Sequence, residues 1–418
     1  MSEAISENGR PRVLVVVGTR PEAIKMAPVL EGLRRRAGIL ETRLALTGQH
    51  DDLVDQVLAT FGMDPDYDLG VMEEGQDLYH LAHACLDGLR DVVAGFRPHL
   101  LLAQGDTATV FYSALVAFFE NVSVGHVEAG LRSGNKRAPF PEEMFRRLSD
   151  VLTDYHFAPT RTARENLLEE GFPEERVFVT GNTVVDALKA AVGRRERPGN
   201  QHLLGILNRK SALVLLTAHR RESFGKPLRD IFRGVRELVD AFPAAEVLYP
   251  VHPNPQVSEL ARKLLGGHDR IHLTRPLDYL DLVAAQAHAD LILTDSGGIQ
   301  EEAPTFGTPV LVLREVTERP EGVEAGVARL VGSSSERIVS EGLAVLGERD
   351  RSGRGEDRQP LGFFFSEGPR AESPGSRERR GAAPGNPYGD GQAGERIADI
   401  VAAGLTGRPR ETIDWAGV

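Results

Sequence analysis

Short runs of valine, leucine and isoleucine alternate with helical segments along this chain, and this pattern limits the fold more than any other feature. The runs are RVLVVV from Arg12, TRLAL from Thr42, HLLLAQ from His99, VSVGHV from Val122, VFVTG from Val177, ALVLLT from Ala212, EVLYPV from Glu246, LILTD from Leu291 and PVLVLR from Pro309. Strands that alternate with helices form parallel sheets whose two faces are covered by helices. The sequence therefore predicts an α/β fold.

A polar stretch at residues 191–209 interrupts this alternation. The chain has 418 residues, of which 41% are hydrophobic, and this is enough to fill two hydrophobic cores. We therefore predict two Rossmann-like domains joined near residues 182–210 and facing a cleft at the carboxyl ends of both sheets.

Residues 347–385 differ from the rest of the chain in composition. They are rich in Gly, Arg, Glu, Ser and Pro, and apart from residues 363–365 they contain little that a core could bury. Such a composition does not offset the entropy lost on ordering, so we predict a flexible insertion. A final helix is predicted at residues 393–403.

Composition also excludes several classes of function. The formal net charge of −12 argues against general binding to nucleic acid or to anionic membranes. No apolar run is as long as a membrane span, and residues 1–11 are polar without the apolar core of a signal peptide. We therefore expect a cytoplasmic protein with neither nucleic acid nor membrane as partner.

The residues that usually hold metals are sparse or unsuitably spaced. The single cysteine, Cys85, excludes an internal disulfide and a cysteine-rich metal site, and none of the 12 histidines lies in an HxH or HExxH pattern. We expect no metal and no cofactor.

The segment LILTDSGGIQEEAPTFGTPVLVLR at residues 291–314 predicts a strand, a glycine turn, a helix and a second strand. Gly297 and Gly298 let the backbone approach a ligand, and the free N–H groups after Ser296 form an anion site. Glu301 and Glu302 lie one turn further along and can reach hydroxyl groups attached to a bound diphosphate. Both features match a nucleotide. The alternative is an ordinary αβ loop that uses glycine for tight packing.

Charged side chains follow the strands of the first half, where open α/β sheets place their ligands. Arg20 and Lys25 lie in the turn after the first strand, Asp106 follows HLLLAQ and Glu128 follows VSVGHV. Glu142 lies in the first turn of a helix. The three carboxylates can thus converge on one cleft.

These carboxylates also have structural alternatives. Glu142 can complement a helix dipole, and Asp106 can cap a helix. Glu128 is harder to explain structurally, because a charge beside an apolar strand end has no inexpensive local role.

In the second half, basic residues follow two further strands. His219, Arg220 and Arg221 follow ALVLLT, and His252 follows EVLYPV. Arginine suits bidentate contacts to a diphosphate, and histidine suits proton transfer or hydrogen bonding. Either histidine can instead be a structural residue at a strand end.

Twelve motifs extend the argument beyond single sites. They are GTRPEAIKMAP, TGQH, QGDT, GHVEAGLRSG, PFPEE, HFAPT, VTGNTVVDAL, HRRESFG, YPVHPNP, DSGGIQEEAPTFGTPVLVLR, TERPE and NPYGDGQA. In this order they resemble the non-hydrolysing UDP-N-acetylglucosamine 2-epimerases of bacteria and archaea, over nearly all of residues 12–405 except the insertion.

The resemblance implies a fold of the glycosyltransferase B type, a homodimer, and UDP held mainly by the second domain. The first domain would span residues 1–181 and be completed by a helix at about 392–418. The second would span residues 182–391.

The family's functional residues match positions in this chain one by one. The resemblance implies catalytic roles for Asp106, Glu128, Glu142 and His219, contacts with the substrate from Arg20 and Lys25, a phosphate-binding turn at Ser296, Gly297 and Gly298, a ribose contact from Glu302 and a nucleotide contact from Arg319.

The implied reaction is reversible C2 epimerisation of UDP-N-acetylglucosamine to UDP-N-acetylmannosamine, for precursors of cell-surface polysaccharides. A base removes the C2 proton while UDP leaves C1 by anti elimination, which gives a 2-acetamidoglucal beside UDP. UDP then adds back as a proton reaches the opposite face of C2.

Two segments depart from the family pattern, the insertion before NPYGDGQA and the segment after GQH. Family members usually carry an arginine after GQH, where an additional substrate molecule binds as an activator. This chain has Asp51 and Asp52 there instead, which argues against an intact activator site, and Gln49 and His50 are the candidate residues of such a site.

Three other functions use some of the same residues. An epimerase for a related UDP-2,3-diacetamido sugar or uronic acid would use the same catalytic groups. A glycosyltransferase of this fold would share the DSGG turn and Glu302 but would have little need of three carboxylates at C2. A UDP-sugar sensor would bind without turnover, and the complete acidic set argues against it.

Overall fold

The structure is a computed structural model that describes residues 9–48, 52–71, 75–192, 194, 198–209, 211–220, 223–351 and 385–417. The chain divides into two compact units, Met1–Ala187 with Tyr388–Gly417, and Leu188–Pro387. The first divide falls inside the helix Thr183–Val192.

The first unit contains a seven-stranded parallel sheet with the strand order β3-β2-β1-β4-β5-β6-β7. Its strands are β1 Arg12–Val17, β2 Glu41–Leu46, β3 Tyr67–Asp68, β4 Leu100–Gln104, β5 Ser123–Val127, β6 Tyr155–Ala158 and β7 Val177–Val179. The first helices of this unit are α1 Arg20–Arg34, α2 Asp52–Phe61, α3 Leu78–Phe96, α4 Ala108–Phe119, α5 Glu142–Val151 and α6 Arg161–Glu169. The next helix, α7 Thr183–Val192, crosses the boundary between the units.

The second unit contains a six-stranded parallel sheet with the order β10-β9-β8-β11-β12-β13. Its strands are β8 Ala212–Thr217, β9 Ala245–Pro250, β10 Ile271–Thr274, β11 Leu291–Thr294, β12 Val310–Val312 and β13 Ala328–Leu330. Its helices are α8 Gln201–Leu207, α9 Lys226–Ala241, α10 Pro255–Leu265, α11 Tyr279–His288, α12 Gly297–Glu302, α13 Pro320–Glu324 and α14 Ser335–Arg351.

Both sheets have their hydrophobic runs at the centre. Residues 13–17 of β1 and residues 212–216 of β8 are fully buried, as expected for strands whose two faces are covered by helices. The prediction of an α/β fold with parallel sheets is confirmed. The strands that the sequence missed are β3, β6, β10 and β13: three of them form sheet edges, and all have short or mixed patterns.

The last helix, α15 Ala393–Thr406, belongs to the first unit and packs against α1. A side chain at Gly394 would lie 2.6 Å from the backbone carbon of Pro28, so the two helices approach closely. Glu395 adds ion pairs with Arg35, at 2.7 Å, and with Arg36. Residues near the end of the chain therefore complete the unit that contains its beginning.

The predicted insertion at 347–385 overlaps a helix, because α14 continues to Arg351. Residues 352–384 lie outside the described residues. Within the described ranges, no helix is long and apolar enough to cross a membrane, and no cluster of His, Cys, Asp and Glu has an arrangement that could hold a metal.

Candidate active site

In both sheets the strand order reverses direction beside the first strand, between β1 and β4 in one unit and between β8 and β11 in the other. Open α/β sheets bind ligands at such switch points, beyond the carboxyl ends of the strands. The predicted site residues of each unit follow these strands or their neighbours.

Glu128 lies directly after β5 and is held by three donors. Lys25 Nζ lies 2.7 Å and 2.9 Å from its two carboxylate oxygens, Asn182 Nδ2 donates at 3.2 Å, and Gln104 Nε2 also donates. Its backbone φ is +71°, which is uncommon for a residue other than glycine. Such conformations persist where the surroundings determine them strongly, and they cluster at functional sites.

Asp106 follows β4 and forms an ion pair with Arg146 of α5. Arg146 Nε lies 3.1 Å from Asp106 Oδ2, and Nη2 contacts the same oxygen. Arg146 Nη1 also donates to Glu143 Oε2 at 3.1 Å. Arg146 is buried, whereas the Asp106 side chain is 30% exposed, so solvent or a ligand can reach the aspartate.

Glu142 is the first residue of α5, as the sequence predicted. Its carboxylate has no hydrogen-bond partner among the described residues. Arg146, one turn further along α5, joins this helix to the loop that carries Asp106. Arg20 begins α1 and is partly exposed.

A fourth carboxyl group lies in the turn after β1. Glu22 is only 2% exposed, and it accepts hydrogen bonds from Gly18 N at 2.7 Å and from Thr19 Oγ1 at 2.9 Å. Burial raises its pKa to about 7, and the nearby Asp106 contributes in the same direction, although the hydrogen bonds oppose the shift. The chain therefore holds a carboxyl group that is partly protonated at neutral pH.

In the second unit, Asp295 after β11 organises the turn after β8. Its Oδ2 accepts hydrogen bonds from the backbone nitrogens of His219 at 2.7 Å and Arg220 at 2.8 Å. The His219 ring lies parallel to the His252 ring, with centroids 5.3 Å apart, and its Nδ1 is 3.3 Å from Asp295 Oδ1. The two predicted histidines thus form one stack beside a buried carboxylate.

The glycine turn and Arg319 pack closely together. A side chain at Gly297 would lie 2.5 Å from Arg319 Cζ, so only glycine fits there while the guanidinium keeps this position. Glu301 Oε1 accepts a 2.6 Å hydrogen bond from Arg319 Nε. The guanidinium is thus held beside the first residue of α12.

Further charged groups support this arrangement. Burial by itself raises the pKa of Glu318, but Arg319 and Arg314 outweigh it and lower the pKa to about 2. Glu318 is therefore ionised and supplies a second negative charge to Arg319, at 3.5 Å. Glu302 is buried in α12 and accepts a hydrogen bond from Gln286 Nε2.

The structure brings several predicted site residues of each unit into pairs. In the first unit, Lys25 contacts Glu128, and Asp106 is joined to the helix of Glu142. In the second unit, His219 lies against His252, and Arg319 lies against Gly297. Gln49 and His50 lie outside the described residues.

Sequence reasoning missed the residues that hold the candidates in place. Arg146 had a local signal, because it follows Glu143 at the three-residue spacing of helical ion pairs. Gln104 and Asn182 lie in the QGDT and VTGNTVVDAL motifs, but no local pattern links them to Glu128, because they reach it from distant parts of the chain. Asp295 is part of the DSGG motif, but the motif by itself does not predict its hydrogen bonds to the turn after β8.

Known proteins match the chain over most of its length. The family model described as UDP-N-acetylglucosamine 2-epimerase matches residues 33–363. The UDP-N-acetylglucosamine 2-epimerase of Salmonella typhimurium is 44% identical over 398 residues, which cover 93% of this chain and 98% of that protein.

Solved structures agree with these matches. The UDP co-structure of MnaA from Staphylococcus aureus has 41% identity and a TM-score of 0.83, covering 97% of this chain and 100% of that one. The Neisseria meningitidis UDP-GlcNAc 2-epimerase, bound to UDP-GlcNAc, has 38% identity and a TM-score of 0.80, covering 93% and 99%. The glycotransferase of kitacinnamycin has 13% identity and a TM-score of 0.55, covering 95% of this chain and 99% of that one. At this identity the match shows only that the two proteins have a similar fold.

Proposed function

Since the chain belongs to the UDP-N-acetylglucosamine 2-epimerase family and is an isomerase, we propose that it interconverts UDP-N-acetylglucosamine and UDP-N-acetylmannosamine. The reaction proceeds by elimination of UDP and its re-addition. The product serves as a precursor of cell-surface polysaccharides, and the enzyme works in the cytoplasm.

Carboxylates of the first unit carry out the proton transfers. One of Asp106, Glu128 and Glu142 removes the proton from C2, and the electron pair of that C–H bond forms the C1–C2 double bond. The C1–O bond breaks, and its electrons leave with the diphosphate. A protonated carboxyl group then returns a proton to the other face of C2 while a diphosphate oxygen attacks C1. Proton transfer at both faces of one carbon requires more than one acid–base group.

Groups of the second unit bind and stabilise UDP. His219 and Arg319 are positioned by buried carboxylates, and the backbone N–H groups of Gly297 and Gly298 open α12. Positive charge and N–H donors stabilise the negative charge that develops on the diphosphate as the C1–O bond breaks. Glu302 accepts from a ribose hydroxyl.

The observation that carries the proposal is the placement of Asp106 and Glu128 after the neighbouring parallel strands β4 and β5. Each carboxylate is held by a buried cation, Arg146 or Lys25, so both are oriented before a substrate binds. A glycosyltransferase or a UDP-sugar sensor has little need of such a set. Family membership and the UDP-GlcNAc bound to the Neisseria relative support the choice of substrate.

Proton NMR of UDP-N-acetylglucosamine incubated with the protein in deuterated water tests the proposal. We expect both epimers to appear, with deuterium at C2 in each. Epimers without deuterium at C2 would reject the elimination mechanism. Turnover of a UDP-2,3-diacetamido sugar or uronic acid, with none of UDP-N-acetylglucosamine, would correct the substrate.

We also propose a homodimer, following the family. Exposed apolar side chains on the adjacent helices α4 and α5 support this, and they are Phe118, Phe119, Leu148 and Val151. Light scattering should give twice the 45.5 kDa mass of one chain. A mass of 45.5 kDa at micromolar concentration would reject the dimer.

A further inference from the structure

His126 lies on β5, two residues before Glu128, and is buried. Both nitrogens of its ring face hydrogen-bond acceptors. Nε2 lies 2.7 Å from the carbonyl oxygen of Gly105, and Nδ1 lies 2.6 Å from Asp150 Oδ1. A carbonyl oxygen only accepts, so Nε2 carries a proton.

The proton at Nδ1 depends on the charge of Asp150. The second carboxylate oxygen of Asp150, Oδ2, accepts hydrogen bonds from Arg132 Nη2 at 2.8 Å and from Gly130 N at 3.3 Å. Burial alone raises the pKa of Asp150, but His126 and Arg132 outweigh it and hold the pKa below its ordinary value. Asp150 is therefore ionised and acts as an acceptor towards Nδ1 as well. With both nitrogens donating, His126 is an imidazolium.

His156 provides an internal comparison. It is buried beside His126 in the sheet, as the two residues pair across β5 and β6. Its Nε2 lies 2.9 Å from the backbone carbonyl of Asp150, and its Nδ1 makes no hydrogen bond of normal geometry among the described residues, although the backbone of Arg176 acts on the ring. Burial lowers its pKa, so His156 is neutral. Two adjacent buried histidines thus differ in charge because His126 is hydrogen-bonded to the Asp150 carboxylate, whereas His156 contacts only the backbone carbonyl of that residue.

We propose that His126 is a positioning residue that works as a buried imidazolium, fixing the Gly105 carbonyl and thereby the backbone that carries Asp106. The proposal rests on the proposed function, because it assigns the purpose of this bond to a carboxylate of that reaction. Gly105 has φ +92°, a conformation that glycine adopts readily, so the bond restrains an intrinsically permissive residue. The same imidazolium lies on β5, the strand directly before Glu128.

The charge of His126 is set by neighbours from several elements. Asp150 approaches from α5, Arg132 from the loop after β5 and His156 from β6, and Glu170, directly after α6, reaches Arg132 at 2.7 Å. Burial alone lowers the pKa of His126, but the Asp150 carboxylate outweighs it, so the pKa is raised. The imidazolium is therefore lost only when the pH rises through this raised value, and we expect turnover to fall on the alkaline side.

Nitrogen-15 NMR of the histidine-labelled full chain tests the charge state directly. At neutral pH we expect His126 to show protons on both ring nitrogens and His156 on Nε2 alone. Signals are assigned by their loss in the variants His126→Gln and His156→Gln. A neutral His126 at pH 7 would overturn the proposal.

Kinetics of paired variants test the positioning role. His126→Asn keeps a donor near Asp150 but lacks the one towards Gly105, whereas His126→Gln keeps the Gly105 donor and loses the charge. We expect His126→Asn to lower kcat about tenfold or more with KM within about twofold, because the substrate still binds but the carboxylate is misplaced. His126→Gln should lose less and should lack the alkaline decline. The control, His156→Gln, retains the donor to Asp150 and should stay within about twofold of the unmodified chain.

The unmodified chain separates the two proposals. If it shows no C2 deuterium exchange, the proposed function fails while the NMR result still reports on the imidazolium. If it exchanges normally and a folded His126→Asn keeps its kcat, the positioning role is wrong. Because His126 lies in the first unit, denaturant unfolding followed by circular dichroism, and not UDP binding, shows whether a variant is folded.

Discussion

The three predicted carboxylates have different surroundings. Asp106 is part exposed and paired with one arginine, Glu128 is buried and accepts from three side chains, and Glu142 opens a helix. An amide at each position therefore removes a different set of charge interactions. A shared effect on turnover would have to come from the chemistry, since the structural roles differ.

We expect Asp106→Asn, Glu128→Gln and Glu142→Gln each to lower turnover about a hundredfold or more, the usual contribution of general acid–base catalysis. UDP binding should survive, because the proposed UDP contacts lie in the other unit. C2 deuterium exchange and calorimetry measure the two properties. Glu120→Gln, at an exposed carboxylate, is the matched control. Near-normal exchange in all three folded variants would mean that these carboxylates are structural.

Glu22 provides a prediction about pH. A carboxyl group with a raised pKa stabilises the fold fully below its unfolded value of 4.5, and this stability is lost as the pH rises through the folded value of about 7. The difference corresponds to about 3 kcal/mol. Glu22→Gln cannot ionise, so its free energy of unfolding relative to the original chain should rise between pH 4.5 and 7.

Urea unfolding at several pH values measures this difference. The variant and the original chain should converge near the acidic end of the window, where Glu22 is protonated in both the folded and the unfolded state. A constant difference across the window would show that Glu22 titrates normally.

At the scale of the elements, α12 begins with a glycine that leaves room for an arginine side chain. Gly297 leaves the space that the Arg319 guanidinium occupies, and Glu301 of the same helix holds that guanidinium. The helix is short, Gly297–Glu302, so the glycine and the glutamate that position Arg319 lie within about one turn of each other. A substitution at Gly297 should therefore also change the position of Arg319, the proposed nucleotide contact.

Gly297→Ala should displace Arg319 and weaken UDP binding about tenfold or more, equivalent to roughly 1.4 kcal/mol. The control is Gly205→Ala in α8 of the same unit, where an added methyl group meets no atom within 4 Å. It should bind UDP normally, since alanine also favours helix. Calorimetry gives both dissociation constants, and equal values would show that Arg319 does not contribute to UDP binding.

At the scale of the whole molecule, the chain returns to its first unit only at its end. Ile397 of α15 is fully buried there, whereas Ile413 in the following segment is 80% exposed. Ile397→Ala should lower the free energy of unfolding by about 2–5 kcal/mol, the usual cost of a large cavity in a core. Ile413→Ala should change it by less than about 0.5 kcal/mol.

Denaturant unfolding followed by circular dichroism compares these two variants. Equal stabilities would mean that α15 contributes little to the first unit. UDP binding serves as an independent readout of the second unit, which should remain intact in both.

The sequence by itself determined the fold class and much of the layout of the candidate sites. Buried parallel strands need continuous apolar runs, so the central strands could be predicted, and the residues that follow them must lie at the ligand-binding edge of a sheet. Motifs such as GHVEAG and DSGG therefore located Glu128 and Gly297 before any contact was known. Short edge strands such as β3 and β13 could not be predicted, because a few residues of mixed polarity show no clear hydrophobic periodicity.

Only the tertiary structure decided how each group is held and charged. Glu128 meets Gln104 and Asn182 across 24 and 54 residues of sequence, a separation that local patterns cannot encode. Whether His126 carries a charge depends on the carbonyl oxygen of Gly105, 21 residues away, and on Asp150 of α5. Protonation follows from burial and from partners brought together by folding, which is why these properties are absent from the linear pattern.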